Sequence, residues 1–307
     1  MIAVVYNKND YKLSAKSYSK NYADMFNALA KDALHITESC SAQDIDADAI
    51  IFFDPHSSHD IKIDGIERHR AVKYEYFNDP HQVEQTGFYT TGEKFHKLGA
   101  EQRCKRTIER GVTKVICPAK DGFNKYLVKY LPEDSLLWFP VVPKKPDIKL
   151  KSMSERYRKV IGNGHLWQGT NDFKPYEFRA WAYLRESVTY VPHYAGNKNV
   201  PIRDDYMVML SLFAGGLALC DVYPVAKYFE IPLCGCLVFM QYLPECDDLG
   251  FKNWENCIYV NKDNFDVLIK EFRHNVNQFQ HIADAGRSLC EQRWTADKFA
   301  EFIYDQI

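Results

Sequence analysis

Two short apolar runs, at 217–220 and 236–240, bracket a segment that carries Lys227 and Glu230 at helical spacing and is broken by Pro232 and Gly235. A strand, a short helix and a second strand satisfy these signals together, and that unit constrains what the rest of the chain can become. In an open α/β sheet, ligands collect beyond the carboxyl ends of the strands. A cation and a carboxylate on the connecting helix therefore fall close to where a ligand sits.

The same alternation recurs along the chain. Strands are predicted at 1–6, 34–37, 49–53, 71–77, 112–117 and 136–139, interleaved with helices at 15–33, 94–110 and 122–130. In the first of these helices Tyr18, Tyr22, Met25, Phe26, Leu29 and Ala30 share one face. Residues 140–146, with three prolines and two lysines, read as a linker. Beyond it come strands at 159–165, 188–192 and 256–260, helices at 175–185 and 204–213, a helical tract over 265–281 and 282–293, and a closing helix at 295–307. The pattern predicts an α/β chain with doubly wound sheets, a first domain at 1–147, a second at 148–288, and a terminal segment at 289–307.

Several residues in this frame can carry chemistry. The strands at 49–53 and 71–77 run into the same Asp-Pro-His spelling, which puts His56, Asp79 and His81 at one rim of a sheet. Any of the three can serve as a general base toward a hydroxyl, and each is equally explicable as turn chemistry. The strand at 159–165 ends in Gly162, Asn163 and Gly164, where glycine lets backbone amides approach a phosphate. Arg179 offers a guanidinium fork to phosphate oxygens, or a salt bridge to Glu177 or Asp172. His193 and Tyr194 follow the strand at 188–192 and can stack on or hydrogen-bond a base. Tyr206 lies on a helix for which Asp204 is the expected cap. Lys227, one turn before Glu230, can pair with it.

Asp44, Asp46 and Asp48 spell a metal-holding Asp-x-Asp, but they precede their strand and so lie at the wrong edge of the sheet; a solvated turn is expected. Nine cysteines at scattered spacings, several inside apolar runs, read as reduced core residues, and Cys234 with Cys236 lacks the second pair of a zinc site. No apolar run is long enough to span a membrane, and residues 1–6 read as a strand rather than a secretion signal. A cytosolic protein, of a bacterium or of a virus-infected host, is the expectation. The net charge of -2 hides a division. Residues 94–160 hold 17 Lys/Arg against 7 Asp/Glu, between two segments in which acids outnumber bases. That central excess is either a solvated face or a surface for phosphates, nucleic acid included.

Lys227, Glu230, Ile231, Pro232, Gly235 and Val238, the turn at Gly250 and Phe251, the strand at 256–260, and the tract Ile282, Ala283, Gly286 and Arg287 together resemble the C-terminal half of GT-B glycosyltransferases. Within them the chain is most similar to the CgeB-like, or spore-maturation-protein-like, group. The resemblance covers about residues 158–300 and implies two Rossmann-like doubly wound domains facing a cleft, with the last helix crossing back to the first domain. It implies a transferase, for hexoses or pentoses, that moves a sugar from a nucleotide-diphosphate donor to an acceptor hydroxyl. Glu230 would hold the donor ribose, since a carboxylate suits a diol. Lys227, Arg179 and helix amino-terminal amides would offset charge on the departing diphosphate, without a metal or other cofactor. The acceptor is left open among a saccharide, a protein and a hydroxylated DNA base, the last requiring base flipping. The alternatives are a nucleotide or nucleotide-sugar binding module without chemistry and a sugar-nucleotide epimerase. Trp294 stands where the family commonly has a histidine.

Overall fold

The computed structural model describes residues 1–10, 12–13, 20–53, 61–78, 100–164, 166, 176–192 and 201–307. It divides into two units, Met1–Val141 with Phe299–Ile307, and Val142–Lys298.

The first unit is built on a six-stranded sheet in which every neighbouring pair is parallel. In chain order its elements are β1 (Ile2–Val5), α1 (Asn21–Leu29), β2 (Leu34–Ile36), β3 (Cys40–Ser41), β4 (Ala49–Phe53), β5 (Ile63–Asp64), β6 (Val72–Tyr76), α2 (Ala100–Glu109), β7 (Lys114–Cys117), α3 (Lys120–Tyr126) and β8 (Leu136–Trp138). The sheet order is β2-β1-β4-β6-β7-β8, and β3 pairs with β5 apart from it. β1 and β4 are buried at every position, as expected of parallel strands covered on both faces. α1 turns Tyr22, Met25, Phe26 and Leu29 inward, and the Phe26 ring meets Tyr6 at 4.5 Å and Phe53 at 5.5 Å.

α2 is different, because its inward face is basic. Arg103 is buried and stacks 3.7 Å over Phe77. Arg106 donates to Glu75 Oε1 at 3.2 Å, Thr107 donates to Glu75 Oε2 at 2.9 Å, and Arg110 lies 3.6 Å from Glu75 Oε1. Glu75 itself is fully buried on β6. Part of the central positive charge therefore neutralises one interior carboxylate instead of facing solvent.

The second unit holds a five-stranded, all-parallel sheet in the order β10-β9-β11-β12-β13. Its elements are β9 (Tyr157–Gly164), α4 (Glu177–Tyr183), β10 (Val188–Pro192), α5 (Arg203–Ser211), β11 (Phe213–Ala218), α6 (Lys227–Leu233), β12 (Leu237–Met240), α7 (Glu245–Asp248), β13 (Ile258–Tyr259), α8 (Phe265–His274), α9 (Gln280–Arg293) and α10 (Ala296–Tyr304). α10 begins in the second unit and ends in the first, where Phe299 packs against Tyr76 and Phe139. β11 is entirely buried and contains Gly215 and Gly216. A Cβ would meet Phe272 Cε1 at 3.0 Å at the first and Ile231 Cγ2 at 3.0 Å at the second, so helices press on this strand from α8 and α6.

Four expectations shift. The strand foreseen at 217–220 begins at Phe213, because α5 stops at Ser211. α5 is capped at Ile202 without a side-chain bond, and Asp204 lies inside its first turn, where a carboxylate complements the helix dipole. The tract at 265–281 breaks at Asn275, which leaves helical geometry before a 3₁₀ turn at Val276–Phe279. The segment read as a linker is partly docked: Val142 is fully buried, and Pro143 accepts a hydrogen bond from the Ala296 amide at 2.9 Å.

Candidate functional site

In the second unit the chain leaves β9 for β10 on one side, then returns to place β11 on the other. The sheet order reverses between β9 and β11, and in open α/β sheets this is where a crevice opens beyond the carboxyl ends of the strands. β9 ends there in Asn163 and Gly164, and β11 runs out into Leu219, Cys220 and Asp221.

Arg179 spans the reversal from α4. It is buried, stacks 3.6 Å over the Tyr176 ring, and donates to the Leu219 carbonyl from Nε at 2.8 Å and Nη2 at 2.5 Å. It is not part of a surface salt bridge with Glu177, whose carboxylate meets Lys262 at 3.4 Å. Lys227, the first residue of α6, reaches the same place. Gly164 has φ +124, and a Cβ built there would stand 3.5 Å from Lys227 Nζ and 3.9 Å from Arg179 Nη1. Among the described residues neither cation is in an ion pair with a carboxylate. Lys227 is not paired with Glu230. Burial, and next the Arg179 charge, lower its ammonium to about 8.

Glu230 lies one turn further along α6 and is buried. The Tyr206 hydroxyl from α5 sits 3.2 Å from Glu230 Oε2 and 3.1 Å from Asn163 Oδ1. One phenolic proton cannot serve two acceptors. With the Asn163 amide turned over, its Nδ2 donates to the phenol and the phenol donates to Glu230. Burial, and next the Glu230 charge, push the Tyr206 phenol well above its ordinary value, so it remains a donor.

Tyrosines fix the end of β9. Tyr183 donates to the Asn163 carbonyl at 3.0 Å, and Tyr190 donates to the Gly164 carbonyl at 3.0 Å. Gly162 faces Tyr183, whose Cδ1 would stand 2.7 Å from an added Cβ; the missing side chain there makes room for a ring. Asp221 accepts from the Glu177 amide at 3.0 Å and from Gln241 Nε2 at 2.7 Å, tying α4 and β12 to the end of β11. The amides of Tyr228, Phe229 and Glu230 are bonded to the carbonyls of Val225 and Ala226, so charge at this site comes from side chains rather than from that turn of α6.

The structure thus brings together Asn163, Gly164, Arg179, Tyr206, Lys227 and Glu230, with Gly162 behind them. His56, Asp79, His81, His193 and Tyr194 lie outside the described residues. Tyr183, Tyr190 and Asp221 escape a reading of the sequence. Asp221 opens the strand-helix-strand stretch and could have been noticed, whereas nothing in the local sequence marks either tyrosine.

The other candidates resolve as structure. Asp44, Asp46 and Asp48 are exposed, with Arg70 3.5 Å from Asp46. Cys236 is buried, its thiol held up at about 11 by that burial, and its Sγ donates to the Leu210 carbonyl at 3.1 Å. Trp294 is buried, donates to the Leu249 carbonyl at 2.9 Å and packs against Phe229. Among the described residues no helix is long and apolar enough to cross a membrane.

No protein-family model and no curated protein sequence matches the chain. Solved structures do match its fold. HepE of Anabaena, in complex with UDP and glucose, aligns over 99% of this chain and 98% of its own at TM-score 0.57 and 10% identity, and the UDP-glucose complex of HepE aligns equally. Sucrose-phosphate synthase of Thermosynechococcus elongatus aligns over 99% of this chain and 97% of its own at TM-score 0.55 and 10% identity. These neighbours are GT-B glycosyltransferases, and the chain has their fold class, α/β with two Rossmann-like domains. The likeness does not single out the CgeB-like group.

Proposed function

We propose that the protein is a glycosyltransferase that moves a sugar, a hexose or a pentose, from a nucleotide-diphosphate donor held by its second unit to an acceptor hydroxyl. The observation that carries this reading is the meeting of Lys227 and Arg179 at Gly164, two cations without a carboxylate partner among the described residues, at the point where the sheet order reverses. Such a pair favours an anion with several negative oxygens. Glu230, oriented by Tyr206, supplies the two acceptor oxygens that a ribose diol requires. The neighbours solved with UDP and with UDP-glucose make UDP and UDP-hexoses the first donors to try.

As the glycosidic bond lengthens, negative charge grows on the diphosphate. Fixed cations in a partly desolvated site stabilise that charge without reorganising. In this scheme Lys227 and Arg179 supply what a bound divalent cation supplies elsewhere, so transfer should persist in excess EDTA. The acceptor is a hydroxyl of a saccharide, a protein or a modified DNA base, and Asp79, His81 and His56 are the proposed groups to take its proton. Membership of the CgeB-like group is the narrower reading that the motif from Lys227 to Val238 favours.

The test is a thermal-shift panel of nucleoside diphosphates and nucleotide sugars, followed by donor-hydrolysis and transfer assays. A ligand that binds the native state alone raises the melting temperature by mass action. UDP or UDP-sugar should do so, and Glu230→Ala should abolish both the shift and turnover. Binding without turnover would leave the binding-module reading, and a rearranged sugar formed from donor alone would favour an epimerase. No shift with any nucleotide would refute the donor site.

A further inference from the structure

The far end of the second sheet carries another concentration of charge. A cavity of about 990 Å³ lies where the amino-terminal part of β9, the turn between α4 and β10, and one side of α8 meet. Arg158, Arg185, Lys270, Arg273 and His274 line it. Its two carboxylates are Glu186 and Asp266, and Asp266 is taken up by Arg185, whose Nε donates to Oδ1 at 3.3 Å.

Arg158, Lys270 and Arg273 are all exposed, and among the described residues none of their side chains makes an ion pair or hydrogen bond. Complementing the carboxyl end of α8 accounts for a cation at Lys270 or Arg273. It does not account for Arg158, which is on a strand. Three cations, one from β9 and two from α8, left unpaired among the described residues around one concavity, repel one another unless an anion joins them. Ser187, whose hydroxyl makes no hydrogen bond among the described residues, also lines the cavity.

Arg158 and Gly164 are six residues apart on β9, about 20 Å at the rise of a strand. One small ligand cannot span both places. We propose that this cavity is a second anion site, separate from the nucleotide site, which binds linked phosphates. Its volume and its three unpaired cations fit an oligophosphate better than a single phosphate. The same chemistry is offered by a free oligophosphate and by a nucleic-acid backbone.

The test measures binding of inorganic tripolyphosphate by calorimetry, and of a fluorescein-labelled single-stranded oligonucleotide by anisotropy, to the whole chain. Wild type is compared with the triple variant Arg158→Ser, Lys270→Ser, Arg273→Ser and with Lys227→Met. For the oligonucleotide the triple variant should bind at least tenfold more weakly while Lys227→Met binds as wild type does; for tripolyphosphate, which the cations at Gly164 can also hold, each variant should lose a different one of two sites. For the oligonucleotide, the slope of log affinity against log salt should flatten by about 2 as three phosphate contacts are lost. Tripolyphosphate alone would identify a free oligophosphate as the occupant, and the oligonucleotide alone a nucleic-acid backbone. Arg273→Glu, a single exposed change, repeats the test if the triple variant folds poorly and should weaken binding at least fivefold. Undiminished binding by these variants, an equal loss of the oligonucleotide or of the same tripolyphosphate site in Lys227→Met, or no binding of either probe overturns the proposal.

Discussion

The most direct prediction concerns Lys227 and pH. Burial and the Arg179 charge put its ammonium at about 8, against an ordinary value of 10.5. The charged fraction in the free protein is then about nine-tenths at pH 7 and about one-tenth at pH 9. If only the ammonium form receives the diphosphate, UDP affinity falls about tenfold across that interval, about 1.4 kcal/mol. Solvent reaches this half-buried group, so screening makes tenfold the upper value. Bound diphosphate favours the charged form and raises the pKa again, so binding at pH 9 should take up close to one proton, and at pH 7 about a tenth of one. The effect on stability has the opposite sign: the unfolded chain holds this proton more tightly, so the lysine costs stability below about pH 8. That cost fades as pH rises from about 8 toward 10.5. Titration calorimetry of UDP in buffers of different ionisation heat reads affinity and proton uptake together. Lys227→Met should bind more weakly at pH 7 and lose the fall toward pH 9. A wild-type affinity that is flat from pH 7 to 9, or a Lys227→Met profile parallel to wild type, would refute the reasoning.

Tyr206→Phe removes the hydroxyl between Glu230 and Asn163 and should cost about 1–3 kcal/mol in urea unfolding, because the buried Glu230 carboxylate loses this donor and the Asn163 amide its acceptor; an unchanged midpoint counts against the network. Gly162→Ala drives a Cβ to 2.7 Å from Tyr183 Cδ1 and should cost about 1–3 kcal/mol by overpacking, with no loss expected if the ring simply turns aside. Glu75→Ala leaves Arg106 and Arg110 facing an empty interior position and should destabilise by about 3–5 kcal/mol in denaturant titration. A cost under about 1 kcal/mol would mean that solvent already screens that cluster.

Much of the fold is legible in the sequence because parallel strands buried on both faces must be apolar throughout. Residues 49–53 and 237–240 can hardly be anything else, and the alternation of such runs with helical spacing fixes an α/β chain. Periodicity also places Lys227 and Glu230 one turn apart on a single helix. What it cannot encode is partnership across the fold, which depends on residues far away in the chain. Lys227 could as well have paired with Glu230; the structure instead gives Glu230 to Tyr206, 24 residues away, and sets Lys227 beside Arg179 at Gly164. The basic excess over 94–160 reads in the sequence as either a solvated face or a surface for phosphates; the structure turns Arg106 and Arg110, two of its cations, toward Glu75, an interior position of a strand. Glycine shows the same division: the sequence marks Gly162 and Gly164 as a pair, and only packing separates them, one making room for a tyrosine ring and the other, at positive φ, lying against two cations. Local pattern determined which residues face inward, and tertiary contact determined what each of them meets there.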